Sequence, residues 1–438
     1  MSRRTGALAA ALLLLFAAPA AHAVLGSPDE SWRQAQLDLR DAARDTLSRP
    51  GDPATFDALG DALFRMARLP EARRAYGRAA ELAPADARAL AGLGRIALFR
   101  SRDDEAESLL VRAGTAEGAA HDLYVLALRR HDWTTAAAHA EEQDEAGRRE
   151  MLERLAQLGP PAAPAGPDHV TLLFSRAFPV PLVQVTLGGQ RVLMAVDPGA
   201  PELLLDPAAA RNAHAEIVPG ERSLAWNGVS VGARNAIVHR LELGAYVLTD
   251  VPAAVTPLHA YSNQVNPQEA QIAGVIGLPV LERFGVTLDF HAQELVLRRP
   301  GEAVTAVGAR VPFERWGESD LVVYGSIAGG RRMAFSIGTG LPDAGIGAPR
   351  ETFDEVGLQG GRIANFIHAA SGWSQVTVPT ISVGPIVAEH VAGWSGAMGT
   401  SELWRLGPRH DGLLGPQFFA RRKVTFDWAK GELVFEDE

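Results

Sequence analysis

The chain of 438 residues contains no cysteine. That excludes a disulfide framework, thiolate catalysis, cysteine-based metal sites and a lipid attached to a cysteine. No apolar run is long enough to cross a bilayer: the longest, Ala7–Ala18, falls short of the roughly 20 residues a spanning helix needs. The 12 histidines are scattered, and none shows a metal-ligand spacing such as two histidines one helical turn apart. No glycine-rich loop stands between a strand and a helix to cradle a phosphate. The expectation is therefore no metal and no cofactor. Basic residues are the minority, 42 against 52 acidic, for a net charge of −10, which argues against nucleic acid or an anionic membrane as partner.

What is present begins with Arg3 and Arg4, the run Ala7–Ala18, and the small-residue site Ala21-His22-Ala23. This reads as a secretory signal over residues 1–23. The mature chain is then expected to be exported, to a periplasm or the exterior. Without the signal the balance is 40 basic to 52 acidic residues, a net of −12.

Residues 29–157 are rich in Ala, Leu, Arg and Glu, with apolar positions at helical spacing. Phe56, Leu59, Gly60, Ala72, Tyr76, Ala79 and Pro84 form one pattern of small and large residues. Leu90, Leu93, Gly94, Ala106, Leu110 and Ala113 repeat it 34 residues on. A weaker third copy covers Leu123 to Ala140, with Trp133 and Ala136 at its helix turn. These spacings resemble tetratricopeptide repeats, in which small residues let paired helices approach and large ones fill the gaps between pairs. A plain helical bundle is the alternative. About three such units is near the minimum for a self-sufficient array, so this segment is expected to lean on the domain C-terminal to it. Pro160, Pro161, Pro164 and Pro167 mark a stiff linker over 158–168, after which short β-branched runs bounded by Gly and Pro read as strands.

The remainder holds two similar halves, 169–300 and 301–438. Asp197-Pro198-Gly199-Ala200 follows the apolar run Val192–Val196, and Gly338-Thr339-Gly340 follows Met333–Ile337. A glycine pair, Gly188-Gly189 or Gly329-Gly330, ends eight residues before each motif. Trp226-Asn227-Gly228 and Gly372-Trp373-Ser374 are expected hairpin tips. Gly274-Val275-Ile276-Gly277 pairs with Gly412-Leu413-Leu414-Gly415, and each is followed at 12 residues by an aspartate, Asp289 or Asp427, inside a strand–turn–strand unit.

In this order the elements resemble the pepsin and retropepsin type of aspartic peptidase, over about 270 residues as two tandem lobes. The fold class expected is multidomain: an all-α helical array followed by a mostly-β, two-lobed aspartic-protease-like domain. In such enzymes two carboxyl groups, one per lobe, share a proton; the ionised one activates water and the neutral one donates to the oxyanion. The resemblance implies that Asp197 is the first catalytic aspartate, Gly199 its glycine and Ala200 the small residue after it. Pro198 replaces the hydroxyl residue that locks the two turns together. In the second half Thr339 and Gly340 match, but Gly338 stands where the second aspartate belongs.

The leading expectation is thus a degenerate member that binds peptide or protein between its lobes, with the repeats as a second interaction surface. Trp226 and Trp373 are candidates for the cleft lining, plain packing being the other reading. An active endopeptidase using Asp197, alone or by pairing two chains, and an inert scaffold remain as alternatives. A paired chain would have to use the face the second lobe already fills. His410-Asp411 reads as a surface turn, and Gly393-Trp394-Ser395-Gly396-Ala397 lacks the last glycine of a nucleophile elbow.

Overall fold

A computed structural model describes residues 28–140, 147–164, 166–267, 271–359, 361, 373–398 and 407–436. The expected signal segment, 1–23, lies outside them. The helical spacing folds into α1 (Pro28–Ser48), α2 (Pro53–Arg65), α3 (Leu69–Leu82), α4 (Ala87–Phe99), α5 (Asp103–Ala113), α6 (Ala119–Arg129), α7 (Trp133–His139) and α8 (Arg148–Leu158). Local chemistry sets the boundaries. Asp52, Asp86 and Asp132 each cap a helix by accepting from backbone N–H groups of its first turn.

The small and large positions do what their spacing predicts. The Tyr76 ring on α3 lies between two helices, so close that a Cβ on Gly60 or on Gly92 would stand 2.5 Å from it. Its hydroxyl donates to Asp61 on α2 at 2.5 Å. The ring thereby packs α2 against α4.

The β domain carries the duplication into three dimensions. Strand Gln190–Val196 pairs with Leu182–Leu187 across the Gly188-Gly189 turn. Gly274–Ile276 then threads beside it in parallel, with Ile276 opposite Val196. In the second half Gly412–Leu414 runs parallel to Met333–Ile337, with Leu414 opposite Ile337. The closing hairpins of the two halves join into one sheet, where Gly285–Asp289 pairs with Lys423–Asp427. Thr287 and Thr425, equivalent positions of the duplication, face each other there with hydroxyls 2.8 Å apart. The second expected hairpin tip is only partly described, since Gly372 lies outside the described residues. The strand after it, Ser374–Val383, is in place.

The helical array leans on both lobes, as its size requires. Phe99 of α4 stacks on Trp316 with centroids 5.6 Å apart. Arg129 of α6 reaches across the seam and donates to the carbonyls of Arg315 at 2.9 Å and Gly317 at 2.6 Å. Burial pushes its guanidinium down to about 9. The linker is strapped down as well: Arg283 holds the Ala162 carbonyl, and Arg299 those of Gly166 and Pro167.

One buried carboxyl group in the array is testable. Burial, together with the neighbouring Asp86 and Asp61, pushes the Asp57 carboxyl up to about 7. A carboxyl raised on folding stabilises fully below its unfolded value, and that contribution is lost as pH rises through the folded one. Asp57→Asn is expected to raise the melting temperature at about pH 8 and to flatten its decline above about pH 5. Thermal unfolding across that range checks this, and an unchanged profile would refute the assignment.

Candidate active site

The two motif turns sit at matching places. The Asp197 N–H donates to the Ile276 carbonyl at 3.0 Å, and the Gly338 N–H donates to the Leu414 carbonyl at 2.9 Å. Each bond ties a motif turn to the segment threading beneath it. Gly338 is therefore the structural counterpart of Asp197. A Cβ at Gly338 would lie 2.6 Å from the Leu413 side chain, which fills the space a second aspartate would need.

The Asp197 carboxylate is wholly buried. Oδ1 accepts from the Gly199 N–H at 2.9 Å, and Oδ2 accepts from the Trp226 indole N–H at 2.8 Å. The backbone N–H groups of Gly340 and Thr339, from the other lobe, also face it. Burial raises its pKa above the ordinary carboxylate value, while these four donors work in the opposite direction. Approach is so close that a Cβ on Gly340 would stand 2.3 Å from Oδ2. Thr339 Oγ1 donates to the Val196 carbonyl at 2.5 Å, making one side of the inter-lobe lock. Pro198 has no hydroxyl to answer it, as its residue type implied.

The hairpin of Arg222–Trp226 and Val229–Val238 folds over this point. Asn227 and Gly228 at its tip both have positive φ, 50° and 73°, the signature of a two-residue turn that follows the strand twist. The Asn227 amide donates to the Gly340 carbonyl at 2.9 Å, and the Tyr261 hydroxyl donates to the same oxygen at 3.1 Å. Trp226 and Tyr261 meet edge to face at 4.7 Å. The flap is thus closed onto the second lobe. What remains beside Asp197's turn is a cavity of about 50 Å³.

Of the two tryptophans expected to line a cleft, Trp226 binds the carboxylate directly. Trp373 packs, half-buried, beside Trp394, Met398 and Leu413. Met398 and Leu413 also line the small cavity, so Trp373 backs the site without reaching Asp197. The expectation of a surface turn at His410-Asp411 fails, because both residues are buried. Asp411 is held by Arg331 at 2.5 Å and Arg409 at 2.8 Å, and His410 Nε2 accepts from the Ser336 N–H at 3.0 Å. A lone His-Asp pair between loops carries no pattern that would announce three arginine and backbone partners from elsewhere. Asp320, which accepts from Ser336 Oγ at 3.0 Å, lines the cavity with His410 and was missed by sequence reasoning. Its one signal was an acidic residue opening the apolar run Leu321–Val323.

A buried charge chain supports the site from behind. Arg148 on α8 pairs with Glu202, five residues after Asp197, at 2.7 Å. Glu202 also pairs with Arg222 at the root of the flap, and Arg222 donates to Asn235 on the partner strand at 2.8 Å. Arg148 further reaches Glu318 of the second half at 3.0 Å. The helical array, the motif loop and the flap thereby share one ionic network.

A sequence model of the aspartyl protease family matches residues 183–280, the segment holding Asp197, the flap and the first threading strand. A search of curated protein sequences returned no match. Similar solved structures include basic 7S globulin from soybean, at 11% identity and a TM-score of 0.36, covering 61% of this chain and 94% of that one. Another is the aspartic proteinase from Irpex lacteus, at 10% identity and a TM-score of 0.39, covering 61% and 97%. The chain is a helical region followed by a mostly-β domain, and within that domain the aspartyl protease model matches.

Every group around the Asp197 carboxylate donates, so an amide in its place turns an NH2 toward a donor. Asp197→Asn is expected to lower stability by about 1–3 kcal/mol, the cost of a buried unsatisfied polar group. Gly338→Asp is expected to lose a similar ~1–3 kcal/mol by overpacking Leu413. Urea denaturation reads both, and unchanged midpoints would show that the junction is not built as described.

Proposed function

We propose that this is an exported, catalytically degenerate aspartic-protease-like protein that binds an extended peptide or protein segment between its lobes. The observation that carries the reading is the fate of Asp197. Its counterpart in the other lobe is Gly338, which has no carboxyl group and has Leu413 packed against it, and both oxygens of Asp197 are taken by N–H donors. Dyad chemistry needs one carboxylate to take a proton from water and one carboxylic acid to give a proton to the oxyanion. Asp197 alone cannot do both.

Peptide capture needs less. An extended ligand is held by backbone hydrogen bonds and side-chain pockets, neither of which depends on a dyad. For entry the flap must lift, giving up the Trp226–Asp197 and Asn227–Gly340 bonds, and a ligand carbonyl or N–H then takes over those partners. The paired helices, read as tetratricopeptide repeats, offer a second surface for protein contact.

An active acid endopeptidase is the second reading, and one observation favours it. Asp320 lines the same small cavity as Gly199 and Trp226, which puts another carboxyl group in the site. Incubating an unfolded protein with the wild-type chain, Asp197→Asn and Asp320→Asn from acid to neutral pH separates the two. The degenerate reading expects no cleavage by any of the three. Cleavage abolished by either substitution would overturn it in favour of the enzyme.

A further inference from the structure

A larger cavity than the one at Asp197 lies beside a cluster of charge. It lies in the seam between the helical array and the second lobe, where the α2–α3 turn and α1 meet the strands Asp320–Ile327 and Met333–Ile337. Its volume is about 580 Å³, within the roughly 300–1,000 Å³ typical of ligand sites.

Its lining is strongly basic in an acidic protein. Five arginines, Arg68, Arg74, Arg331, Arg332 and Arg409, stand against two carboxylates, Glu71 and Asp411. They divide into a floor and a rim. Arg331 and Arg409 form the floor and are committed to Asp411 and Glu355. Both also lie over the Trp32 ring, Arg409 at 4.1 Å and Arg331 at 5.0 Å. Asp411 in turn accepts from the Ala334 N–H at 2.9 Å, which fixes this floor to the strand.

The rim is different. Arg68, Arg74 and Arg332 are exposed. Arg68 pairs with Glu71 at 3.1 Å, whereas Arg74 and Arg332 form no ion pair among the described residues. Arg332 is nevertheless fixed in place. Its guanidinium stacks on Tyr324 at 3.3 Å, and its Nη1 donates to the Ala67 carbonyl at 3.5 Å. Stacking on Tyr324 and the bond to Ala67 order this guanidinium before a carboxylate arrives.

We propose that this seam binds an acidic peptide segment, with carboxylates on Arg74 and Arg332 and the intervening apolar side chains against Met66 and Pro70. The arginines alone would equally suit an inorganic anion. The apolar and aromatic walls favour a peptide, since a bare ion would leave them unused. These two guanidiniums also come from different places, Arg74 from α3 and Arg332 from just before Met333–Ile337, and so suit charges spaced along a chain. This inference does not depend on how the Asp197 site works.

The test is fluorescence anisotropy on the full chain with a fluorescein-labelled peptide of alternating glutamate and leucine, and with its lysine-for-glutamate counterpart. Saturable binding of the glutamate peptide alone is expected, weakened at least about tenfold by R74E/R332E and by added salt. Glu71→Gln frees Arg68 from its partner and is expected to tighten binding severalfold, a gain that a misfolded variant could not give. No saturable binding by the wild type, equal binding by R74E/R332E, or binding of inorganic phosphate without the peptide would each overturn the proposal.

Discussion

Almost everything at the centre of this molecule depends on one buried carboxylate being satisfied from both sides. Asp197 belongs to the first lobe, yet two of the N–H groups facing it, those of Thr339 and Gly340, belong to the second. The flap contributes the indole N–H of Trp226. Removing a carboxylate from water is costly, and only well-placed donors offset the cost. The lobes and the flap are held at the distance that lets those donors reach it. In an acid protease the same position faces a second carboxyl group across a water. Here the counterpart position is Gly338, and the carboxylate accepts from N–H groups of both lobes and the flap.

The ionic chain Arg148–Glu202–Arg222 extends this junction outward. Glu202 lies on the loop that leaves the Asp197 turn, so Arg148 of α8 ties the helical array to the centre. A buried ion pair of this sort is weak evidence for net stability, because desolvation offsets much of the attraction. Its evident consequence is geometric: it allows one placement of α8 relative to the flap root. The array thereby becomes part of the β domain's architecture, and the shared packing of Phe99 with Trp316 points the same way.

Some of this architecture was legible in the residues, and some was not. The Gly-x-x-Gly segments at 274–277 and 412–415 were legible because a buried strand of two apolar residues between glycines leaves a mark at fixed spacing. The threading they imply is what the structure contains. The Gly60 and Tyr76 pattern was legible for the same reason, since close helix packing demands a small residue opposite a large one. Trp226 read equally as cleft lining or plain packing, and its bond to Asp197 was not foreseeable from the order of residues. His410 and Asp411 were misjudged as surface residues, because burial of a charged pair is decided by Arg331 and Arg409, whose approach depends on the fold.

By itself, the order of residues determined the helical and strand-rich parts, the similarity of the two halves, and the absence of a carboxyl group at position 338. These follow from local periodicity and from residue identity, which need no neighbours. Only the tertiary structure decided that Leu413 packs against Gly338, that the flap closes to about 50 Å³, and that Asp320 and His410 line what remains. Such facts depend on which distant side chains share a volume. Close packing allows that volume one occupant, and the choice is made only when both lobes and the helices are in place.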